Sequence, residues 1–295
     1  MRRVKPAVSL VAVPGRRRAT LDLAQKIERE GFTGIYCPSP GDGLALCHAL
    51  ALVTREIALG TSIAHIYTRH ALEFAQGAAI VHELSGGRFR FGIGVSHGPA
   101  HERLGIRPRF VTELRSYDKQ VGGLPPITLA TLRQKMVALA GEIAQGAVWA
   151  NAARSHMPAS LAQLPAPART DPAFFIGDMI PTCIDDDRNA AAAVMRKTLL
   201  SYAKLPNYQN YWIEAGYEDE MRAVREAIAR RDEDGIAKAL SDRWLRDVTL
   251  FGSASEVRDG VEAWRAAGVK TVILVPSSTR GGQLVAFDEL IRAFA

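Results

Sequence analysis

Short apolar runs alternate with longer amphipathic segments along most of the chain. The first run, Val8–Val13, predicts a buried strand, and Leu21–Glu30 follows with its apolar residues on one helical face until Gly31 ends it. The same alternation continues downstream. Further strands are predicted at residues 34–37, 57–64, 88–95, 126–130, 147–150, 174–176 and 270–275, and further helices at 44–54, 71–84, 132–144 and 256–267.

Strands that are apolar throughout, each followed by a helix, indicate a parallel sheet covered on both faces. Eight such units in a chain of 295 residues predict an α/β protein with a (β/α)8 TIM barrel fold. A doubly wound open sheet is the alternative, and the short, regular connections early in the chain favour the barrel. We expect residues 1–295 to form one barrel domain.

Two regions interrupt the alternation. Residues 154–172 contain four prolines and are predicted to be mostly loop. Residues 185–247 are helical and charged without a strand signal, and are predicted to be a helical insertion before the last βα unit. Two interpretations of the aromatic residues in this insertion stay open: they cap a substrate pocket, or they pack against the barrel or a second subunit. These residues are Tyr202, Tyr208, Tyr211, Tyr217 and Trp212.

The amino-acid composition is that of a globular protein without a disulfide framework or membrane spans. Hydrophobic residues make up 47% and charged residues 23%, which is typical of a globular chain. Three cysteines cannot build a disulfide framework, and no apolar stretch is long enough for a membrane span, so a cytoplasmic protein with no membrane partner is expected. The net charge is 37 − 31 = +6 and is spread along the chain, which argues against nucleic acid and suits a small anionic ligand.

In a barrel the functional groups lie at the carboxyl ends of the strands. Gly92 and Gly94 resemble part of a dinucleotide fingerprint, but Pro99 follows and no apolar helix opens there, so a Rossmann site is not predicted. His97 and His101 have the spacing of a metal pair without a third ligand, and no metal site is predicted. No hydrolase motif of the G-x-S-x-G or H-E-x-x-H type occurs.

Two polar clusters suggest helix caps. Thr131 and Gln134 have the spacing of a capping box, and the helix they would open could hold a phosphate at its N-terminus, with Arg133 in the first turn. The alternative is an ordinary cap with a solvated arginine. The run Asp185–Asp187 precedes an alanine-rich helix and is interpreted as a cap rather than a metal site.

Several blocks together resemble the luciferase-like monooxygenase superfamily, and most of all its branch that uses the deazaflavin coenzyme F-420 (F420). The blocks are residues 30–34 (EGFTG), 57–63 (IALGTSI), 84–89 (LSGGRF), 92–97 (GIGVSH), 126–127 with 136–141, and 268–272 (GVKTV). They span most of the chain apart from the insertion. The resemblance implies an oxidoreductase that transfers a hydride between F420 and a small organic substrate, and a homodimer.

The resemblance also implies a site. The flavin-like ring would lie across the carboxyl ends of the strands, with a bulge and a non-prolyl cis peptide at Ser62–Ile63. The residues that match the family's cofactor contacts follow successive strands: Ser62, Ile63, Gly94, Val95, Ser96, His101, Ala130, Thr131, Leu132, Arg133, Ala150 and Asn151.

For the accompanying proton transfer His97 is the first candidate, because the pKa of histidine lies near neutrality, and His65 and Glu102 come next. A histidine that only hydrogen-bonds the cofactor or the loop is the alternative for His97. After the second strand, where relatives carry a histidine or aspartate, Asp42 is the one ionisable candidate. An FMN-dependent monooxygenase of the same superfamily, or a non-catalytic binding barrel, are the alternative functions.

Overall fold

The computed structural model describes residues 4–95 and 108–295. The strands are β1 Ala7–Ser9, β2 Gly34–Cys37, β3 Ala58–Thr61, β4 Ala64–His65, β5 Phe89–Gly94, β6 Ile127–Ala130, β7 Gly146–Ala150, β8 Phe175–Ile184, β9 Leu250–Gly252 and β10 Thr271–Ser277. The helices up to residue 170 are α1 Arg17–Arg29, α2 Gly43–Val53, α3 Ala71–Leu84, α4 Pro108–Ser116, α5 Gln134–Ile143, α6 Met157–Ala162 and α7 Ala166–Thr170. Those that follow are α8 Arg188–Ala203, α9 Pro206–Glu214, α10 Glu218–Ala229, α11 Glu233–Ala239, α12 Asp242–Val248, α13 Ala254–Ala266 and α14 Gln283–Ala293.

The order of hydrogen-bonded strands returns to its starting point. It runs β10-β1-β2-β3-β5-β6-β7-β8, and β10 pairs with β8 as well, while β4 adds to β5 and β9 adds to β8. The pairs β1–β2, β2–β3, β3–β5, β5–β6 and β6–β7 are parallel. This is the topology of a parallel (β/α)8 barrel, so the predicted fold class is confirmed and the open sheet is excluded.

The chain divides into two compact units. The first comprises the residues up to Trp149 together with Ala162–Gly177, and the second comprises Ala150–Leu161 and Asp178–Ala295. Each unit has its own buried apolar core. In the first unit the core includes Ile35, Leu59, Phe74, Phe89 and Phe91, and in the second it includes Tyr211, Trp212, Trp244, Trp264 and Phe287.

The start of β5 is anchored by Arg88. Its guanidinium donates to the carbonyl oxygens of Ser85, Thr54 and Ile57 at 2.7, 3.0 and 2.7 Å. Nearby, one carboxylate oxygen of Glu28 accepts from three consecutive backbone N–H groups, those of residues 55–57, at 2.8–2.9 Å. Residues 84–89 (LSGGRF), one of the blocks that carry the family resemblance, therefore fix the turn between α3 and β5.

Glycines make room for a bulky side chain in the first unit. A Cβ on Gly34 or Gly60 would lie 2.8 or 2.7 Å from the ring of Tyr36. That ring packs 5.5 Å from Phe175, whose own ring lies 4.9 Å beneath the Arg90 guanidinium. Burial raises the pKa of Tyr36 to about 12, against the opposing effect of the Arg90 charge.

The prediction of a loop over residues 154–172 is wrong. A 3-10 turn at Arg154–His156 and the helices α6 and α7 occupy most of it. Pro158 and Pro167 both fall in the first turn of a helix, where a missing N–H leaves no hydrogen bond unmade. Residues 185–247 carry α8 to α11 and all but the last residue of α12, with no strand before β9.

Candidate functional site

In the first unit, three hydrogen bonds tie together the carboxyl ends of β2, β3 and β5. The N–H of Ser62 donates to Cys37 O at 2.8 Å, and the N–H of Ile66 donates to Gly94 O at 3.1 Å. The Thr61 hydroxyl donates to Gly92 O at 2.6 Å. The Ser62–Ile63 peptide bond between them is cis, as the family resemblance predicts.

Ile63, Gly94 and Ala130 lie side by side at these strand ends. A Cβ on Gly94 would fall 2.7 Å from Ala130 Cβ and 3.1 Å from Ile63 Cδ1, so only glycine fits without displacing its neighbours. Ser62 beside them is 95% buried, and its hydroxyl has no hydrogen-bond partner among the described residues. The structure thus brings four of the predicted contact residues into one small, apolar cluster with a buried hydroxyl.

The predicted capping box at Thr131 is wrong. Helix α5 begins at Gln134, its N-cap residue is Arg133, and no side chain caps it. Thr131 instead extends the pairing of β6, because its N–H donates to Val148 O at 2.8 Å and its hydroxyl lies 3.4 Å from the same oxygen. Thr131 is buried, Leu132 is half-buried and Arg133 is exposed.

Asp42 has a structural role. One of its carboxylate oxygens accepts from the N–H of Ala45 at 3.2 Å and caps α2. The other forms an ion pair with Arg69, whose guanidinium lies 5.8 Å from the centre of the Phe74 ring. Both oxygens are engaged, which does not favour Asp42 as a proton donor.

Two of the remaining predicted residues of the first unit, His65 and Val95, lie among the described residues. His65 is half-buried at the end of β4, with its ring edge-on to Tyr67 at 5.9 Å, and Val95 directly follows β5. Ser96, His97, His101 and Glu102 lie outside the described residues.

In the second unit, Ala150 ends β7 and Asn151 turns the chain with a φ of 56°. The N–H of Asn151 donates to Met179 O at 3.1 Å, and its carbonyl accepts from the indole N–H of Trp212 at 3.1 Å. The Asn151 side chain is also hydrogen-bonded to the hydroxyls of Tyr202 and Tyr208. Asn151, predicted as a cofactor contact, is here 96% buried among groups of α8 and α9.

Side chains from α9 and α12 hold the segment that follows Asn151. The Tyr211 hydroxyl accepts from the N–H of Ala153 at 3.2 Å. The Asp247 carboxylate accepts from the N–H and hydroxyl of Ser155 at 3.0 and 2.6 Å, and from the Tyr217 hydroxyl at 2.8 Å. The aromatic residues of the predicted insertion therefore pack on one another and on segment 151–155, all within this unit.

Asp178 is a buried carboxyl that sequence reasoning missed. It lies on β8, is fully buried, and neither of its oxygens has a hydrogen-bond partner among the described residues. Burial raises its pKa well above the usual range, against the opposing effect of the N–H groups of Ala152 and Met179. The available signal was a single acidic residue inside the apolar run of residues 174–180.

The Asp185–Asp187 run behaves as the cap interpretation predicts. The Asp187 carboxylate accepts from the N–H groups of Asn189 and Ala190 at 3.0 and 3.1 Å and begins α8. Within the described residues no group of three or more His, Cys, Asp or Glu side chains could hold a metal ion. None of the helices in the described part of the chain is long and apolar enough to cross a membrane.

The chain is similar to known proteins over most of its length. The family model described as luciferase-like monooxygenase matches residues 5–116 and 105–271. A 5,10-methylenetetrahydromethanopterin reductase of Archaeoglobus fulgidus is 26% identical over 266 residues, covering 76% of this chain and 78% of the relative.

Solved structures share the fold at low identity. The coenzyme F420 dependent tetrahydromethanopterin reductase from Methanopyrus kandleri superposes with a TM-score of 0.73 at 16% identity, covering 98% of both chains. An F420-dependent secondary alcohol dehydrogenase, solved with an F420–acetone adduct, gives a TM-score of 0.71 at 15% identity, again over 98% of both chains.

Proposed function

Because the chain belongs to the luciferase-like monooxygenase family, we propose that it is an oxidoreductase that transfers a hydride between F420 and a small organic substrate. The reductase of A. fulgidus, a sequence relative over three quarters of the chain, supports this choice within the family. The two structures with the same fold are named for F420 as well, although their identity to this chain is low.

The observation that carries the proposal is the cluster of Ser62, Ile63, Gly94 and Ala130. A planar ring needs a flat, apolar support with backbone close by, and Gly94 carries no side chain at the point where a Cβ would meet Ala130 and Ile63. The Ser62 hydroxyl, buried and without a partner among the described residues, is a polar group that a ligand could satisfy. These residues fit a deazaflavin ring.

A second group of residues suits the phosphate of F420. Arg133 is exposed at the N-cap of α5, a helix of 10 residues whose first N–H groups point toward its N-terminus. We assign Thr131, Leu132 and Arg133 to this end of the cofactor, and Ala150 and Asn151 to the end of β7 as cofactor contacts. Val95, Ser96 and His101 complete the proposed set.

F420 supplies the carbon that accepts or donates the hydride when it is bound, and the chain supplies the proton. We assign the proton transfer to His97, because imidazole exchanges protons near neutral pH. His65 and Glu102 are the alternatives. The substrate is a small molecule, and the protein is expected to act as a cytoplasmic homodimer. Residues 1–295 are proposed to be one domain in which 185–247 is an insertion.

Fluorescence titration of the purified full chain with F420 and, in parallel, with FMN tests the proposal. We expect saturable binding of F420 and much weaker binding of FMN. Tight FMN binding without F420 binding would replace the proposal by an FMN-dependent monooxygenase, and binding of neither would leave a non-catalytic barrel.

The assignment of His97 has its own test. With a panel of small alcohols as hydride donors, the variant His97→Ala should bind F420 as wild type does and reduce it about 10²-fold or more slowly. His82→Ala is the control, because His82 lies in the last turn of α3, before the amino end of β5 rather than at the carboxyl ends of the strands. Unchanged turnover in His97→Ala would remove His97 from the mechanism.

A further inference from the structure

Asp178 lies where the segment after β7 meets β8 and α9. Its neighbour Met179 accepts from the N–H of Asn151 at 3.1 Å, and the N–H groups of Ala152 and Met179 face its carboxyl. Tyr208 and Tyr211 of α9 are near enough to interact electrostatically with it. The carboxyl therefore lies near β8, α9 and the segment that follows β7.

The surroundings of Asp178 disfavour a negative charge. The side chain is fully buried, neither oxygen has a hydrogen-bond partner among the described residues, and the groups that face it there are two tyrosines and two backbone N–H groups. Tyr202 reaches the same cluster through Asn151, and Asp247 adds a further negative charge near Tyr211. A carboxylate without a cation or a hydrogen-bond partner is costly to bury, so these surroundings favour the protonated carboxyl.

The same cluster already ties the segment to the helices of residues 188–214. Trp212 donates to the carbonyl of Asn151, Tyr211 accepts from Ala153, and Tyr202 and Tyr208 bond the Asn151 side chain. The Nδ2 atom of Asn151 is buried and has no partner among the described residues. A neutral carboxyl beside these groups can both donate and accept, whereas a carboxylate can only accept.

We propose that Asp178, in its protonated form, is a positioning residue that holds segment Ala150–Ala153 against α8 and α9. This inference rests on the proposed function in one respect: through Ala150 and Asn151, the segment presents the end of β7 to F420. Loss of the carboxyl releases the segment and weakens cofactor binding. A neutral side chain of the same shape keeps the segment in place and the affinity for the cofactor unchanged.

The variants Asp178→Asn and Asp178→Ala test the proposal in the full chain, with Asp186→Asn as the control because Asp186 is an exposed aspartate of the same unit. Infrared spectra of the wild type at neutral pH should show the C=O stretch of a protonated carboxyl that Asp178→Asn lacks and Asp186→Asn keeps. Absence of this band in the wild type would overturn the proposal.

Two further measurements address positioning. Backbone hydrogen exchange at residues 151–153 should accelerate about tenfold or more in Asp178→Ala and stay within about twofold of wild type in Asp178→Asn, and the dissociation constant for F420 should follow the same pattern. If Asp178→Ala fails to fold, the infrared band and the wild-type-like Asp178→Asn still decide the question. Unchanged exchange and affinity in a folded Asp178→Ala would refute positioning.

Failure of the proposed function is distinguishable from failure of this inference. If wild type does not bind F420, the function is wrong, whereas the infrared band and the exchange rates still report on Asp178. If wild type binds F420, and Asp178→Ala matches it in both backbone hydrogen exchange and F420 affinity, the function stands and the positioning role is wrong.

Discussion

The Tyr211 hydroxyl accepts a 3.2 Å hydrogen bond from the backbone N–H of Ala153. Both groups are buried, and the Ser160 hydroxyl lies beside the same phenol oxygen. Burial raises the pKa of Tyr211 above the usual range for tyrosine, so the hydroxyl is neutral at physiological pH. One side chain of α9 thereby supplies the acceptor for a buried N–H of the segment that follows β7.

Tyr211→Phe should destabilise the protein. The change removes one oxygen and leaves the Ala153 N–H buried without an acceptor, which costs about 1–3 kcal/mol of unfolding free energy. Urea unfolding followed by circular dichroism measures the loss. Tyr117→Phe, at a half-buried position outside this cluster, is the control and should change stability by less than about 0.5 kcal/mol. Equal losses in both variants would contradict the role assigned to the hydroxyl.

Gly94→Ala should damage the proposed cofactor site. The new Cβ would lie 2.7 Å from Ala130 Cβ and 3.1 Å from Ile63, so β5, β6 or the Ile63 side chain must move. Such overpacking costs about 1–3 kcal/mol, and displaced strand ends should weaken F420 binding about tenfold or more.

Gly282→Ala is the control for this change. A Cβ on Gly282 would meet no atom within 4 Å, and its φ of −80° suits alanine. As an N-cap substitution it should cost less than about 1 kcal/mol and leave F420 affinity unchanged. F420 affinity in Gly94→Ala equal to that of Gly282→Ala would show that the strand ends do not form the site.

Two motifs with the same spacing behave differently in the fold. Ser253 and Glu256 form a true capping box at the start of α13, whereas Thr131 and Gln134 have the same spacing and form none. The difference is tertiary: the Thr131 N–H is already bonded to Val148 on β7, which keeps the chain extended until Arg133. A pattern of four residues contains no information about the neighbouring strand.

Helices and strands are easier to predict from this sequence than the contacts between their side chains. The apolar spacing of Ala71–Leu84 gave the bounds of α3 correctly, because its buried face repeats every three to four residues. The buried polar groups were not predictable in this way. Asp178 looks like a break in an apolar run, yet it is fully buried. Asp247 looks like a surface residue of a charged helix, yet the fold brings the hydroxyls of Ser155 and Tyr217 to its carboxylate.

Asp187→Ala should shorten or destabilise α8. The substitution removes the acceptor of the Asn189 and Ala190 N–H groups and should lower the free energy of unfolding by about 1 kcal/mol. Asp186→Ala changes the net charge equally without removing the cap, and should have a smaller effect. Thermal unfolding of both variants at one ionic strength makes the comparison, and a larger loss in Asp186→Ala would rule out the cap.

Acid should weaken the anchor that Glu28 provides. Burial alone would raise the pKa of Glu28, but three backbone N–H groups and the Arg88 charge outweigh it and lower the pKa below 4.5. Because the pKa is lower in the folded chain, the stabilisation is complete above pH 4.5 and is lost as pH falls through the folded-state value. Urea unfolding should therefore show Glu28→Gln less stable than wild type at pH 7, with the difference in stability closing as pH falls below 4.5. Glu83→Gln, at an exposed position on α3, should show no such convergence, and a gap for Glu28→Gln that does not change with pH would show that the charge of Glu28 is not what stabilises residues 55–57.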